Sequence, residues 1–335
     1  MTSIRVGDVK RICFIGGGRL MAEAMLFARN LGFEVVAIIA TRHSTEKING
    51  EENLLEYLSK HTTQVKVTDN PAEASAALVF PNTSNSLALC FGPAWIFPEQ
   101  VVNSYSRGMF NFNGIPIPRY LGGAHYTWQI LNNSFDSGRF IQIITEKVDR
   151  GDILMSEISS LDPGLATPAD FFQANHGLAL KFVQSFLTKL SRGESFESID
   201  FDSVSRDRLY FPRVSTKKNG WIDWSWTGPD IESFCRAFSN PYEGASTKYL
   251  GATIRLREAI FHESKKESFH PFCFGLVVRV THNGFFVSVR GGLLEVLDWK
   301  FEEKVWQVLE GERLATPQKL LYEAKTYVPK SSDFI

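Results

Sequence analysis

Hydrophobic runs long enough to span a membrane are missing from the 335-residue sequence. The longest aliphatic run, VVAIIA at residues 35–40, has the length of a strand and falls far short of the roughly 20 residues of a membrane helix. Residues 1–17 lack the pattern of a cleavable signal peptide. Apolar residues make up 44% and charged residues 22%, a balance typical of folded soluble proteins. We therefore predict a cytoplasmic protein with no membrane partner.

Cysteine and net charge are also scarce. The four cysteines, Cys13, Cys90, Cys235 and Cys273, are scattered and lie mostly inside apolar runs. Their spacing matches no metal-binding motif, so they predict reduced thiols rather than disulfides or a metal centre. The formal net charge is −1 at pH 7, whereas proteins that bind nucleic acid usually carry a basic surface. The charge balance therefore argues against nucleic acid as the partner.

The first half of the chain alternates strand-like and helix-like segments. Residues 11–15 have the pattern of a buried strand, and a helix-period stretch links them through Gly32 to a second apolar strand. Further strand candidates are TQVKVT, SLALCFG and MFNFNG. Strands that alternate with helices predict an α/β fold with a Rossmann-like, doubly wound parallel sheet.

A hairpin and a long helix are predicted next. Residues 139–160, RFIQIITEKVDRGDILMSEISS, alternate in the manner of two strands joined by a charged turn. The helix is predicted to begin at Pro168, with Thr167 as its N-cap, and to end before Gly193.

The last third of the chain has a different pattern. Residues 193–220 are polar and predict a linker, and from Trp221 onward strand-like segments recur at close spacing between Gly and Asn-Gly turn signals. This spacing predicts a smaller C-terminal antiparallel β-barrel-like domain. The predicted domains are residues 1–205 and residues 206–335.

The segment IGGGRLM at residues 15–21 partly matches the dinucleotide-binding fingerprint G-x-G-x-x-G. Gly16 and Gly18 occupy the first two glycine positions, but Met21 stands at the third. We therefore predict a tight turn between a strand and a helix at this point, and no NAD site.

A loop follows the strand that ends near residue 91. It contains Gly92, Pro93, Trp95 and Ile96. In doubly wound sheets ligands bind beyond the carboxyl ends of the strands, so this loop could present backbone amides and Trp95 to a flat heterocycle. An ordinary loop with a buried tryptophan is an equally good interpretation.

Two asparagines end the strand in FNFNGIPIPRYLGG. Asn111 and Asn113 are two residues apart, so their side chains point to the same side of a strand. Two carboxamides offer hydrogen-bond donors and acceptors but no proton base. A polar turn would also explain either asparagine alone, and Asp149 in EKVDRGDIL fits a solvated hairpin tip as well as a functional carboxylate.

The order of these segments resembles the folate-dependent formyltransferase family. The resemblance rests on PRYLGGAHYTWQILN, then VDRGDIL, and it continues in GWIDWSWTGPDIESFCRAFSNPYEGAS, which is similar to the start of the C-terminal domain in the tRNA and sugar members. It covers about residues 10–260. It implies a Rossmann-like catalytic domain, a barrel-like C-terminal domain, and transfer of a formyl group from 10-formyltetrahydrofolate to an amine.

The resemblance also implies a site. The family uses an Asn, a His two residues later and an Asp, and these positions hold Asn111, Asn113 and Asp149. Because Asn113 cannot accept a proton at neutral pH, three interpretations are open. Asp149 acts through a water with Asn113 as a second oxyanion donor; His125, twelve residues after Asn113, supplies the base; or the protein binds its ligands without transferring the formyl group.

The acceptor follows from elimination within the family. The Lys- and Arg-rich residues 206–218 come directly after an acidic stretch, and RYLGG lacks a basic residue found in the similar tRNA-enzyme segment RYRGA. Glycinamide ribonucleotide enzymes would lack the C-terminal domain. We therefore expect a nucleotide-linked amino sugar as the small-molecule partner, with Arg19 or Tyr126 holding the base or pyrophosphate. By analogy with the sugar members, a homodimer is expected.

Overall fold

The computed structural model describes residues 2–50, 52–62, 64–116, 119–145, 151–204, 208–264, 269–303 and 307–329. The strands are β1 Thr2–Ile4, β2 Arg11–Gly16, β3 Glu34–Ile39, β4 Lys47–Asn49, β5 Glu52–Asn53, β6 Val65–Val67, β7 Ser86–Phe91, β8 Met109–Asn113, β9 Leu121–Gly122, β10 Asp136–Ile143, β11 Ile153–Ser160, β12 Phe196–Ser198, β13 Tyr210–Phe211, β14 Ala245–Tyr249, β15 Ala252–Glu263, β16 Val277–Val280, β17 Phe285–Val289, β18 Gly292–Phe301 and β19 Leu314–Ala315. The α-helices are α1 Gly18–Asn30, α2 Thr41–Ser44, α3 Leu54–His61, α4 Ala76–Val79, α5 Glu99–Val102, α6 His125–Leu131, α7 Pro168–Ser191, α8 Phe201–Val204, α9 Thr216–Asn219, α10 Gly228–Ala237 and α11 Gln318–Thr326. None of the helices described in these ranges is both long and apolar enough to cross a membrane.

The chain forms two compact units, each made of separate segments. The first contains residues 1–119, 137–159 and 175–208, and the second contains residues 120–136, 160–174 and 209–335. This division is interleaved along the chain, whereas the sequence predicts a single boundary at residues 205/206. That boundary stays a prediction.

The first unit is built on a seven-stranded sheet with the order β11-β10-β8-β7-β2-β3-β6. Neighbouring strands from β8 through β6 run parallel, and β10 runs antiparallel to β8. Since short apolar runs alternate with helices along this part of the chain, the strands pair as a doubly wound sheet. The predicted α/β class is confirmed.

The two faces of this sheet have separate apolar cores. On one face, the Phe110 and Phe112 rings of β8 pack against Phe186 and Phe182 of α7, with ring centroids 6.1 and 6.3 Å apart. The other face contains Ile15, Cys90 and neighbouring residues. Because side chains alternate along a strand, Asn111 and Asn113 lie on this second face.

Helix α7 begins as its sequence predicts. The backbone N–H and the hydroxyl of Thr167 each donate a hydrogen bond of 2.8 Å to the Asp170 carboxylate, and the Asp170 N–H donates to the Thr167 hydroxyl at 3.3 Å. Pro168 takes the first helical position, where its missing N–H costs nothing. Gly193 follows the last turn with a φ of +63°.

The second unit is built on a six-stranded antiparallel sheet with the order β16-β17-β18-β15-β14-β19. The long strands β15 and β18 form its centre, and α10 contains buried Ile231, Phe234 and Cys235. The predicted C-terminal antiparallel, barrel-like architecture is confirmed. The four cysteines are free, three buried and Cys273 partly buried, as their scatter predicted.

Candidate active site

The carboxyl ends of β2, β7 and β8 lie at one edge of the first unit's sheet, because these strands are parallel neighbours. At the end of β2, a Cβ on Gly16 would lie 2.0 Å from the Phe91 carbonyl oxygen, and the Gly17 N–H donates to that oxygen at 3.1 Å. Gly16 also has a φ of +131°. Only glycine fits this approach, so the glycine-rich segment is the tight turn that the sequence predicts.

Protein side chains fill the space beside that turn. A Cβ on Gly17 would lie 2.7 Å from Cγ of His43 and 2.8 Å from Oε2 of Glu46. Burial, and then the charge of Arg42, lower the pKa of His43; burial raises the pKa of Glu46, while the Gly18 backbone N–H and Arg42 oppose that rise. In dinucleotide-binding folds a pyrophosphate approaches this turn, whereas here His43 and Glu46 pack against it.

Asn111 sits in the middle of the polar end of β8. In the sheet register it pairs with Cys90 on one side and Gln142 on the other. The residue is half-buried, yet its Oδ1 atom is fully buried and has no hydrogen-bond partner within the described parts of the chain. A buried polar atom left unpaired costs about 1–3 kcal/mol, so this carboxamide is suited to a polar group of a ligand.

Asn113 is the next residue on the same face of β8. It pairs with Phe140 in the sheet register and is half-buried. Its carboxamide can donate or accept a hydrogen bond but cannot remove a proton. The structure thus places the two sequence-predicted asparagines together at the carboxyl end of one strand.

Gln142 is a site residue that the sequence analysis missed. Its side chain is 3% exposed, and its Nε2 donates a hydrogen bond of 2.8 Å to the Gly151 carbonyl. A Cβ on Gly151 would lie 1.8 Å from the Ile143 carbonyl oxygen, so the chain passes directly against β10 at this glycine. The predicted Asp149 lies outside the described residues. The available signal was a glutamine inside the otherwise apolar run FIQII.

The loop that is predicted to bind the cofactor, residues 92–96, follows β7. Gly92 has a φ of +54°, and Trp95 is half-buried with its ring 6.3 Å from the Phe97 ring in an edge-on arrangement. Trp95 packs against the same core that contains Cys90, whereas Ile96 is 73% exposed. The loop therefore joins a packed aromatic ring to an exposed aliphatic side chain, with the half-buried Pro93 between the strand and Trp95.

His125 belongs to the second unit, where it begins α6. Its Nδ1 atom is buried without a hydrogen-bond partner in the described segments. Burial, followed by the charge of Arg213, lowers its pKa to about 4. The imidazole is therefore neutral at pH 7 and a weak base, because general bases work best with a pKa near the operating pH.

The two residues proposed to hold the nucleotide already have protein partners. Arg19 Nε lies 2.7 Å from Oε1 of Glu23, and His176 Nε2 lies 2.8 Å from the other oxygen of that carboxylate. The Tyr126 ring packs 5.9 Å from Phe171. Neither contact prevents ligand binding, and both roles stay predictions.

Comparison with known proteins adds three results. The family profile "Formyl transferase, C-terminal domain" matches residues 215–311. Methionyl-tRNA formyltransferase of Clostridium tetani (strain Massachusetts / E88) is 24% identical over 209 residues, which are 62% of this chain and 64%, just under two thirds, of that protein. The same-named protein of Ruminiclostridium cellulolyticum is 22% identical over 318 residues, covering 92% of this chain and 99% of that protein.

Among solved structures, an N-formyltransferase from Helicobacter canadensis, in complex with folinic acid and dTDP-3-aminofucose, superposes with a TM-score of 0.64. The sequences are 15% identical, and the alignment covers 87% of this chain and 100% of that one. This likeness shows a common fold. Together with the C-terminal family profile and the curated relatives, it supports the formyltransferase family for this chain.

Proposed function

We propose that this protein transfers a formyl group from 10-formyltetrahydrofolate to the amine of a nucleotide-linked amino sugar. The observation that carries the proposal is the buried, unpartnered carboxamide oxygen of Asn111 at the carboxyl end of β8. The Helicobacter canadensis neighbour, crystallised with folinic acid and dTDP-3-aminofucose, supports the same pair of substrates here.

The Asn111 carboxamide fits this reaction. When bound, the folate supplies a formyl group. The amine nitrogen bonds to the formyl carbon, negative charge develops on the formyl oxygen, and the bond between the formyl carbon and the folate nitrogen then breaks. The Asn111 amide can donate a hydrogen bond to that oxygen, and its oxygen can accept one from the attacking amine. Asn113, on the same face, is suited to a second donor.

Proton removal is the step that the asparagines cannot perform. An ammonium must lose a proton before its nitrogen can attack, and a carboxamide has no basic group at neutral pH. Asp149 takes this role, directly or through a water. His125, with a pKa of about 4, is a poor base at neutral pH.

The loop after β7 is assigned to the folate. Trp95 provides an aromatic ring and Gly92 an open backbone, since nothing lies within 4 Å of the position a Cβ would take there. Pro93 restricts the loop and Ile96 offers an exposed apolar surface. A flat heterocycle can use both features.

Asn113 in the family's histidine position favours one competing function. Loss of a general base costs about 10²–10⁴-fold in rate. A protein with that loss could keep the folate and sugar-nucleotide sites and act by binding alone.

The deciding experiment incubates the purified protein with 10-formyltetrahydrofolate and a panel of amino sugar nucleotides. Mass spectrometry then detects a product heavier by one carbonyl unit. The Asp149→Asn, Asn111→Ala and Asn113→His variants run alongside, with folate binding measured for each by calorimetry.

Product from the wild type that disappears in Asp149→Asn supports the proposed reaction. Product only from Asn113→His, with folate bound by the wild type, assigns the binding function instead. Formylation of methionyl-tRNA with salt-sensitive binding would move the acceptor to tRNA. If neither folate nor any sugar nucleotide binds, the proposed function is wrong.

A further inference from the structure

The second unit contains two adjoining cavities that the proposed reaction does not use. The first, here called the aromatic cavity, has a volume of about 530 Å³, and Trp128, Trp221, Trp226 and Tyr327 are among its lining residues. The second, here called the basic cavity, has a volume of about 490 Å³ and shares Trp221 and Tyr327 with the first. Three of the seven tryptophans in the sequence therefore line one cavity.

Packing and hydrogen bonds hold the tryptophans of the aromatic cavity in place. The indole N–H of Trp128 donates to the Pro212 carbonyl at 2.7 Å, and the Trp226 ring lies 4.9 Å from Phe234. Phe238 and Leu321, at 2% and 5% exposure, close the bottom. The cavity is thus preformed, and its volume lies within the range of small-molecule sites.

The basic cavity brings two lysines to the edge of these rings. Lys217 and Lys218 belong to α9, which Asn219 fastens to the end of α11. The Asn219 side chain donates to the Ala324 and Tyr327 carbonyls at 2.8 and 2.9 Å and accepts from the Ser215 N–H at 2.7 Å. These hydrogen bonds of Asn219 keep the α9 lysines beside Tyr327.

The other charges that line the basic cavity are paired, and so is Lys325 of the aromatic cavity. Arg255 pairs with Glu302, Lys325 lies 3.1 Å from Asp223, and Glu323 lies 3.9 Å from Lys319. Lys218 Nζ lies 5.8 Å from the Tyr327 ring. Within the described ranges, no carboxylate lies within 4 Å of the ammonium group of either lysine in α9. Two uncompensated positive charges thus adjoin an aromatic pocket.

We propose that these two cavities together bind a nucleotide, as a second ligand site separate from Asn111. The base lies in the aromatic cavity, where every nucleobase can stack on the indole and phenol rings. The phosphates lie in the basic cavity, where Lys217 and Lys218 act as point charges. Asp230 and Arg213 line the aromatic cavity with opposite charges, so the two α9 lysines are the stronger attraction for the phosphates.

The shared walls Trp221 and Tyr327 favour this assignment over a purely apolar ligand. A lipid or aliphatic molecule would fill the aromatic cavity without using the lysines. A free anion would use the lysines without entering among the rings. A flat heteroaromatic ring that carries phosphate uses both, and nucleoside phosphates are that class.

The test uses the full chain with ¹⁵N-labelled tryptophan indoles, titrated with nucleoside 5′-diphosphates. Trp128→Phe, Trp221→Phe and Trp226→Phe assign the indole signals. The Lys217→Ala/Lys218→Ala double variant removes both charges from exposed positions, and Lys10→Ala, with a side chain 64% exposed in the first unit, removes a lysine charge outside the lining of both cavities.

We expect at least one diphosphate to shift the assigned indole signals, with affinity that falls with added salt. The double variant should bind roughly tenfold more weakly or worse, and Lys10→Ala should bind as the wild type does. Calorimetry should show one binding equivalent whose affinity falls in the double variant, whether or not the first unit also takes a nucleotide. The second site is therefore tested independently of the catalytic proposal.

Three results would overturn the assignment. The indole signals could stay fixed with every diphosphate, the double variant could bind unchanged, or a folate or an apolar compound could shift the signals where nucleotides do not. A folded spectrum for each variant excludes loss of structure as the cause.

Discussion

The ends of β2 and β8 lie at the same edge of one sheet, and each carries a buried polar atom without a partner among the described residues. At β2 that atom is Nδ1 of His43, a residue 5% exposed and packed with Glu46 against the Gly17 turn. At β8 it is Oδ1 of Asn111, a residue that is half-buried. The first end is closed by the protein's own side chains, whereas the Asn111 side chain at the second end is only partly covered.

The difference shows which feature identifies a ligand site in this fold. Position at the carboxyl end of a strand is common to both ends, and so is an unpaired polar atom. Only the β8 end combines three amide side chains. Asn111 and Asn113 are half-buried on one face of the strand, and Gln142 pairs with Asn111 in the sheet register. We therefore expect substitutions at β8 to change turnover and those at β2 to change stability.

The largest effect is expected from Asn111→Ala. Removal of one oxyanion donor costs about 10²–10³-fold in kcat, and the substitution also removes an unpaired buried oxygen, so stability should not fall appreciably. The measurements are kcat for formyl transfer and the midpoint of thermal unfolding.

Ser44→Ala provides the control and should keep full turnover. Ser44 follows His43 in α2, and its hydroxyl donates only to the local Thr41 carbonyl. If Asn111→Ala kept wild-type turnover, β8 would lose its assignment as the site. A large drop in the unfolding midpoint would instead make Asn111 a structural residue.

Gly17→Ala tests whether the β2 end is closed. Gly17 has an extended backbone with a φ of −160°, so alanine adds no backbone strain. Its Cβ would nevertheless clash with the buried His43 ring at 2.7 Å, and overpacking of this kind costs about 1–3 kcal/mol.

Chemical denaturation measures this loss, and Gly177→Ala in α7 is the matched control. No atom lies within 4 Å of the position of its new Cβ, so that helical substitution should stabilise by about 0.5–1 kcal/mol. His43→Ala should recover part of the loss in Gly17→Ala. An unchanged stability in Gly17→Ala would show that the β2 end is open.

Local sequence signals predicted the elements that form each end. The apolar runs predicted the strands, Thr167 and Pro168 predicted the start of α7, and the glycines predicted the turn after β2. Each of these signals depends on neighbours within a few residues, because caps, turns and strand alternation are set locally.

The contacts that distinguish the two ends could not be read in the same way. His43 reaches the Gly17 turn from α2, and Gln142 meets Asn111 only through the register between β10 and β8. These pairings join distant parts of the chain, and no single segment encodes them. The interleaved units have the same origin, since residues 120–136 belong to the same compact unit as residues 209–335.

Acid should weaken the β2 end. Burial and Arg42 lower the pKa of His43 from 6.5, so the unfolded chain binds a proton more readily than the folded one. The protein therefore has its full free energy of unfolding above pH 6.5, and this free energy falls as the pH drops below 6.5. His125, with a pKa of about 4, adds a loss in the same direction between pH 6.5 and 4.

Denaturation curves from pH 7.5 to 4 check this expectation. His43→Gln and His125→Gln should each flatten the pH dependence. A pH dependence that neither substitution changed would contradict the assignment of both histidines as buried neutral groups.

Gln142→Leu is the mildest and most specific change at the β8 end. It removes the hydrogen bond to the Gly151 carbonyl, which costs about 1 kcal/mol of stability. If Gln142 serves to hold Gly151 next to the β8 end, kcat should fall while KM for the folate stays nearly constant, because the substitution leaves the loop after β7, which we propose binds the folate, untouched.

Gln129→Leu is the control. The buried amide of Gln129 donates to the Asp136 carbonyl in the second unit, so this variant also loses one hydrogen bond. Equal losses of kcat in the two variants would reduce Gln142 to a general stabilising residue, whereas a loss confined to Gln142→Leu would show that the β8 end of the sheet depends on this register contact.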